Sequence, residues 1–374
     1  MRIAIAAESF LPRSNGVVNS VVQVSRHLRR QGIDCMIIAP DSYPCDEFEG
    51  TPVHRVRSIE IPGVHDVDVV ISSAQAMRDV ISDFGATSLH LASPFVLGWQ
   101  ALSGAQLAGV PVISAYQTHI AGFAHHYGLA PVAFLADSVV RRIHRNSQLN
   151  LVPSRDSADY LRGLGVSRIA MWGRGVDLTQ FDPSHRSAAL RSTWGADGRK
   201  VVGFVGRLAP EKNVHLLREF ANHPGIRVVI VGDGPSRVSL EQSMPHAHFT
   251  GRLSGHDLAA TMASMDILVA PGELETFCQV VQEAMASGVP VVAPAIGGPR
   301  DLIDHESTGL LYGPGKTSRM VDHVSRLISD ELLHARISRA GHAWVQGRTW
   351  SALGDQLVDH HRRVSLGDIT YVAA

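Results

Sequence analysis

The chain has 374 residues, 45% hydrophobic and 18% charged, with a formal net charge of −1. That length exceeds what one core usually supports, so two domains are expected; the composition excludes a disordered chain, and the charge excludes a global attraction to nucleic acid. Three cysteines (Cys35, Cys45, Cys278) without CxxC spacing exclude a disulfide scaffold or zinc knuckle and point to a reducing compartment.

Taken in chain order, residues 3–7 (IAIAA) read as a first strand, and the stretch MRIAIAAESF holds too few apolar residues for a signal peptide. No apolar run approaches the ~20 residues that span a bilayer. A cytoplasmic chain is expected, with contact at a membrane surface left open. After the loop ESFLPRSNGVVNS, a helix is predicted from about 18 to 31, closed by Gly32, and 33–39 is the next strand, so the sheet is parallel. The stretch IPGVHDVDVV resists assignment. Its Asp66 and Asp68 form a DxD without supporting ligands, read as the polar edge of an extended segment. Residues 89–92 and 112–115 are short strands flanking a helix; His119 follows in YQTHIAGF, and 120–145 reads as mostly helical. Within it ADSVVRRIHR sets three arginines beside Val and Ile, which suits either an interfacial helix or a solvated helix face. A strand at 150–153 and a helix ending at Gly165 close the first run. Alternation restarts with strands at 201–205, 227–231, 267–270 and 291–293, and the turns WGRGVD, FDP and GADG between the runs suit a connector. The expected domains are 1–168 and 169–348, with a terminal helix in 349–374.

The stretch 266–294, DILVAPGELETFCQVVQEAMASGVPVVAP, reads as a buried strand, a polar loop, a helix, a turn and another buried strand. The helix is expected to bury Val280, Val281, Ala284 and Met285. Glu275 stands in the loop and Glu283 in the helix. Ligands of open α/β sheets bind beyond the carboxyl ends of the strands, where helix starts offer free N–H groups. Arg207 and Lys212, in VGRLAPEKN, stand at another such end, before a helix predicted from about Asn213. A guanidinium fork and an ammonium there suit a diphosphate better than a solvated basic turn does, charge-assisted bonds being worth about 1.5–3 kcal/mol each. With a helix rise of ~1.5 Å per residue, the helix start and Glu283 are separated by the span of a diphosphate with one sugar. One carboxylate then holds sugar hydroxyls and the other the ribose.

VGDGPSR at 231–237 lacks the third glycine of a dinucleotide fingerprint, Arg237 standing there, and reads as a tight turn. The NG of SNGVVNS is either a plain turn or a place where Gly16 approaches a phosphate. His119, at a strand's carboxyl end, suits a site better than a core histidine. There is no HExxH, and the adjacent His125 and His126 cannot face one way on a helix, so no metal site is expected.

With these motifs in place, the chain resembles the retaining glycosyltransferases of family 4. The resemblance covers nearly the whole length and is carried by NGV, GVD at 175–177, VGRLAPEKN at 205–213, VGDGP at 231–235, ETFCQVVQEAMASGVPVVA at 275–293 and GGPRDLI at 297–303. The ETFCQ and GGPRDL wording is similar to bacterial GDP-mannose-dependent α-mannosyltransferases that act on glycolipids. The resemblance implies an α/β fold of the GT-B type: two facing Rossmann-like domains with parallel sheets and an interdomain cleft, 1–168 meeting the acceptor and 169–348 the nucleotide-sugar donor, the terminal helix crossing back. It implies α-linked transfer of mannose from GDP-mannose to a glycolipid or saccharide hydroxyl, without metal or other cofactor.

By the same resemblance, Glu275 would bind donor-sugar hydroxyls and Glu283 the ribose, and Arg207 and Lys212 would neutralise the leaving diphosphate. Gly16 would bring its N–H to a phosphate, His119 would position the sugar, and amides around Phe277 and Cys278 would face sugar and phosphate. The expected partners are a nucleotide-sugar donor, a lipid or saccharide acceptor and a peripheral contact with the inner membrane surface, with no nucleic acid. Three residues depart from the family pattern: Cys278 and Asn15 stand where glycine is common, and Arg174 where asparagine is usual before Gly-Val-Asp. UDP- or ADP-glucose as donor, and a nucleotide-binding module without turnover, are the alternatives.

Overall fold

In the computed structural model, which describes residues 1–13, 15–42, 45–60, 68–93, 95–117 and 130–368, the first strand β1 (Arg2–Ala6) lies between two parallel neighbours, β2 (Asp34–Pro40) and β7 (Ser88–Leu91). These are apolar runs without alternation, as strands covered on both faces require, and Ile3, Ile5, Ile37, Ile38, Leu89 and Leu91 are fully buried. The sheet continues through β8 (Val112–Ala115), β9 (Leu149–Val152) and β10 (Ile169–Met171) on one side, and through β4 (Thr51–Val56) with antiparallel β3 (Glu47–Phe48) on the other. A separate antiparallel pair is β5 (Ser58–Glu60) and β6 (Asp68–Val70). Asp68 thus opens a strand, while Asp66 lies outside the described residues.

This sheet belongs to a unit made of Met1–Arg174 and the chain from Trp350. The helix Trp350–Ser365 joins it because Leu357, Val358 and Val364 share an apolar cluster with Val21, Val24 and Leu28 of the helix Gly16–Arg30. Polar contacts fix the docking: Trp172 Nε1 donates to the Leu353 carbonyl at 3.1 Å, and Ser88 Oγ lies 2.8 Å from His361 Nδ1.

The second unit, Gly175–Thr349, carries a six-stranded parallel sheet. Its order is β13 (His248–Gly251), β12 (Ile226–Val231), β11 (Lys200–Val205), β14 (Ile267–Val269), β15 (Val291–Pro294) and β16 (Leu310–Tyr312). Alternate residues feed two clusters: Val201, Val229 and Leu268 enter one, Val202, Ile230 and Ile267 the other. From β11 the chain builds outward in one direction to β12 and β13, then returns to build the other way from β14. The strand order therefore reverses between β11 and β14, and the carboxyl ends of strands at such a reversal are the place where open sheets bind ligands. Short strands such as β10, β13 and β16 escaped the sequence reading because three or four residues carry too little pattern.

The helix Ala130–Arg145 settles the environment of ADSVVRRIHR. Val140 and Ile143 are buried in the unit's core, while Arg141, Arg142 and Arg145 are exposed. Arg142 stacks over Trp99 at 4.0 Å from the ring centroid. The apolar residues that suggested an interfacial helix are committed inward; Phe134, 77% exposed, is the large apolar side chain this helix turns outward among the described residues. No helix among the described residues is long and apolar enough to cross a membrane.

Candidate active site

Arg207 leaves the end of β11 in a turn held from behind by main chain. Gly206 N donates to Val231 O at 3.0 Å, Leu208 N to Asp233 O at 2.9 Å and Ser236 N to Leu208 O at 2.9 Å. Gly232 lies so close that a Cβ there would stand 1.9 Å from the Gly206 carbonyl oxygen. VGDGP is thus a tight turn whose work is to support the Arg207 loop.

The helix predicted from Asn213 is instead broken into the 3-10 turns Pro210–Lys212 and Val214–Leu217 and the short helix Arg218–Ala221. Asn213 is the cause: its φ of 51° is left-handed and interrupts helical hydrogen bonding. Lys212, in the first of these turns, donates from Nζ to Glu275 Oε1 at 2.5 Å. Both side chains are about four-fifths buried, at 22% and 19% exposed. Burial opposes the Lys212 charge, but Glu275, with Glu211 behind it, outweighs that and holds the ammonium above its ordinary range. Arg207 pairs at 2.5 Å with Glu211, whose side chain is buried while the guanidinium remains 59% exposed.

Glu275 is held in place through its backbone. Gly298 N donates to the Glu275 carbonyl at 2.8 Å, and a Cβ on Gly298 would meet the Phe277 carbonyl oxygen at 2.0 Å. The GGPRDL motif is therefore a main-chain clamp on the ETFC loop. Phe277 is buried. Cys278 precedes the helix Gln279–Ala286 with φ 66° and ψ 65°, the left-handed conformation that explains why glycine is common there. Burial, with Glu275 and Glu283 adding, pushes its thiol well up, so it stays a thiol. Glu283 is half-buried on that helix. Val281, Ala284 and Met285 are buried as expected; Val280 is only half-buried, and Gln282 is fully buried in its place. Behind the corner, Asp266 accepts from Val201 N at 2.7 Å, Arg186 at 2.6 Å and Arg191 at 2.9 Å.

Arg207, Lys212, Glu275, Phe277, Cys278 and Glu283 thus gather at the β11–β14 carboxyl edge of the second unit. Gly16 belongs to the first unit, where it opens the helix Gly16–Arg30. Asn15 is extended there and accepts from Val17 N and Val18 N at 3.0 Å each, so it serves as the N-cap. Arg174, whose NH2 donates to Gln117 Oε1 at 3.1 Å, lies over Gly16; a Cβ there would be 2.2 Å from its NH1. His119 lies outside the described residues.

Sequence reasoning passed over Glu211, Gln279 and Gly298. The four-residue spacing of Arg207 and Glu211 was the one local signal for the first. Gln279, whose Nε2 donates to Gly175 O at 2.8 Å, and Gly298 act on partners far away in the chain and left no local trace.

The fold has close counterparts among solved structures. Sucrose-phosphate synthase from Thermosynechococcus elongatus superposes with a TM-score of 0.81 at 20% identity, covering 98% of this chain and 99% of that one, and the architecture is that of the GT-B glycosyltransferases. Residues 14–180 match Glycosyltransferase Family 4 and residues 188–344 match Glycosyl transferases group 1. The chain is 44% identical to a GDP-mannose-dependent alpha-mannosyltransferase of Mycobacterium tuberculosis, covering 97% of each. It is 45% identical to the protein of that name from Mycolicibacterium smegmatis, covering 97% of this chain and 98% of that one. The chain belongs to the GT-B glycosyltransferases of these families, an enzyme closely related to the bacterial GDP-mannose-dependent α-mannosyltransferases.

Proposed function

We propose that this glycosyltransferase moves mannose from GDP-mannose, with retention, to a hydroxyl of a glycolipid or saccharide, the second unit holding the donor and the first the acceptor. The observation that carries this reading is the Lys212–Glu275 contact of 2.5 Å at the strand reversal. The reacting bond of a nucleotide sugar joins a hydroxyl-rich ring to a dianionic diphosphate. Its recognition needs a carboxylate and a cation side by side. In this reading Glu275 accepts sugar hydroxyls, and Lys212 and Arg207 neutralise the diphosphate as the C–O bond breaks, which is where electrostatic stabilisation acts. Glu283 takes the ribose hydroxyls; Gly16 and the amides around Phe277 and Cys278 meet phosphate and sugar, and His119 positions the sugar. The acceptor hydroxyl attacks the face that the diphosphate leaves, and the diphosphate takes its proton. Two relatives of matching length bear a GDP-mannose-dependent name, which supports the choice of donor.

The test is GDP release from GDP-mannose in the presence of a membrane lipid extract, followed by identification of the labelled lipid. Glu275→Gln is expected to lower turnover by about 10²–10³-fold with little change in thermal midpoint; wild-type turnover in that variant would remove the assigned role. A thermal-shift panel of GDP, UDP and ADP decides the base. A larger shift with UDP or ADP overturns the mannose donor.

Contact with an anionic membrane surface, in this reading, falls to Phe134 with Arg141 and Arg145, all exposed on one helix. Flotation with anionic liposomes at low salt, lost in Phe134→Ser, is the expected result; no flotation of the wild type ends the idea.

A further inference from the structure

The first unit holds a cavity of about 330 Å³ at the amino ends of β1, β2 and β4, with Arg2, Arg29, Asp34, Cys35, Thr51 and Phe84 in its wall. That volume falls in the range of small-molecule sites. It lies at the edge of the sheet opposite the carboxyl ends, so the usual ligand position of an open sheet does not account for it.

Two guanidiniums set its charge. Arg2 stacks over the Phe84 ring at 4.6 Å from the centroid, and its Nε is 3.7 Å from Asp34 Oδ2. That pair is exposed at 47% and 72%, so it binds the guanidinium only weakly. Arg29, in the last turn of the helix Gly16–Arg30, lies against Gly50, where a Cβ would stand 2.7 Å from its Nη1 and 2.8 Å from its Cζ and Nη2. Distances so nearly equal mean that the face of the guanidinium meets Gly50, which leaves its N–H edge turned away from the turn. Neither Arg2 nor Arg29 donates a side-chain hydrogen bond to a described residue. Arg26 differs: it donates to Glu49 at 3.2, 3.0 and 2.6 Å, and so occupies the carboxylate next to Gly50. Cys35 adds no charge, because burial pushes its thiol up. Thr51 Oγ1 is engaged with Ser25 Oγ at 2.9 Å. Two guanidinium forks against one exposed carboxylate, Asp34, leave the cavity positive, and Ile33, Pro52 and Phe84 give it an apolar side.

We propose that this cavity binds a small soluble phosphate monoester, its phosphate held by Arg2 and Arg29 and its body lying against Phe84, Ile33 and Pro52. A phosphate monoester offers three oxygens and nearly two negative charges, which suits two guanidinium forks better than one carboxylate does. The site lies wholly within the first unit and is independent of the donor reading.

The experiment is calorimetric titration of the full chain with glycerol 3-phosphate, with amide hydrogen exchange to locate the binding. Exchange is expected to slow in peptides covering 29–36 and 49–53. Arg2→Gln and Arg29→Gln should each weaken Kd ~10-fold, the loss of one charge-assisted contact, with thermal midpoints near wild type. Arg29→Lys keeps the charge and loses the fork, and should weaken Kd as well. Asp34→Asn removes the competing carboxylate and should tighten Kd ~3-fold, while Lys212→Ala should leave it unchanged. Wild-type Kd in both Arg2→Gln and Arg29→Gln, or protection at 207–212 and 275–283 instead, overturns the inference. Absence of glycerol 3-phosphate binding overturns it too, including the case in which phosphatidic acid vesicles bind in its place.

Discussion

Among the described residues, several buried titratable groups are kept in opposite ways in the two units. In the second unit they are charged and paired: Lys212 with Glu275, Arg207 with Glu211, and Asp266 with Arg186 and Arg191. In the first unit several are instead shifted toward their neutral forms. Burial drives His90 and His144 down to about 4 and His361 well below its ordinary range. Burial likewise pushes the Glu8 carboxyl up to about 7, although the backbone N–H groups of Gly98, Leu97 and Phe95 pull the other way. The difference follows from position. The charged pairs other than Asp266 line the carboxyl edge at the β11–β14 reversal, where a charged ligand can be met. The histidines lie between sheet and helix, where an uncompensated charge would be expensive.

The sharpest way to break the charged corner leaves every charge in place. Gly298→Ala puts a Cβ 2.0 Å from the Phe277 carbonyl oxygen, main chain that cannot yield cheaply. A loss of about 4 kcal/mol is expected, with turnover abolished because the Glu275 loop moves; denaturant melts and GDP release measure both. Wild-type stability would mean that the clamp is not tight.

Acid should separate the units. His90 and His144 hold pKa values of about 4 when folded, against an ordinary 6.5. Between those values the unfolded chain binds the extra protons, so stability falls as pH falls from 6.5 to 4, by on the order of 3 kcal/mol per histidine. Asp266 has the same sign but acts in a lower pH window. Burial would raise it, but the Val201 N–H and the two arginines hold it below its ordinary 3.8, so its contribution persists until the pH falls below that value. Exchange measured at pH 5 should show faster opening in the first unit than in the second, and uniform opening would sink the contrast. At constant pH, Asp266→Asn should cost about 2 kcal/mol and act within the second unit.

The smallest effect belongs to Cys278→Gly. Relief of a left-handed backbone is worth roughly 1 kcal/mol, offset by the lost burial of the thiol, so stability should move by less than ~1 kcal/mol and turnover hardly at all. A large loss of turnover would show that the thiol itself serves the reaction.

The legible part of the site is the part built locally. Glu275 and Glu283 flank the start of one short helix, and Arg207 and Lys212 follow a strand end, so spacing along the chain was enough to place them on one edge. The supports were not legible. Gly298 meets Phe277, Gly232 meets Gly206 and Gln279 meets Gly175 across long stretches of chain, and nothing in the local pattern of one names the other. The break at Asn213 was missed for a related reason: a single left-handed residue overrode a helical periodicity that was otherwise plausible. What covers Val140 and Ile143 in ADSVVRRIHR met the same limit, because periodicity shows that a helix has an apolar face and not what packs on it.

By itself the sequence determined the βα alternation, two domains, the family resemblance and the charged residues of the β11–β14 corner, because each depends on residue type and short-range spacing. Only the tertiary structure decided that β11 and β14 are neighbours, that Lys212 and Glu275 touch, and which residues seat the terminal helix on the first unit. Those facts depend on which strand pairs with which and where the chain crosses between units. Strand order is a choice among packings of the same elements, set by the burial of whole faces, and no short window of residues contains it.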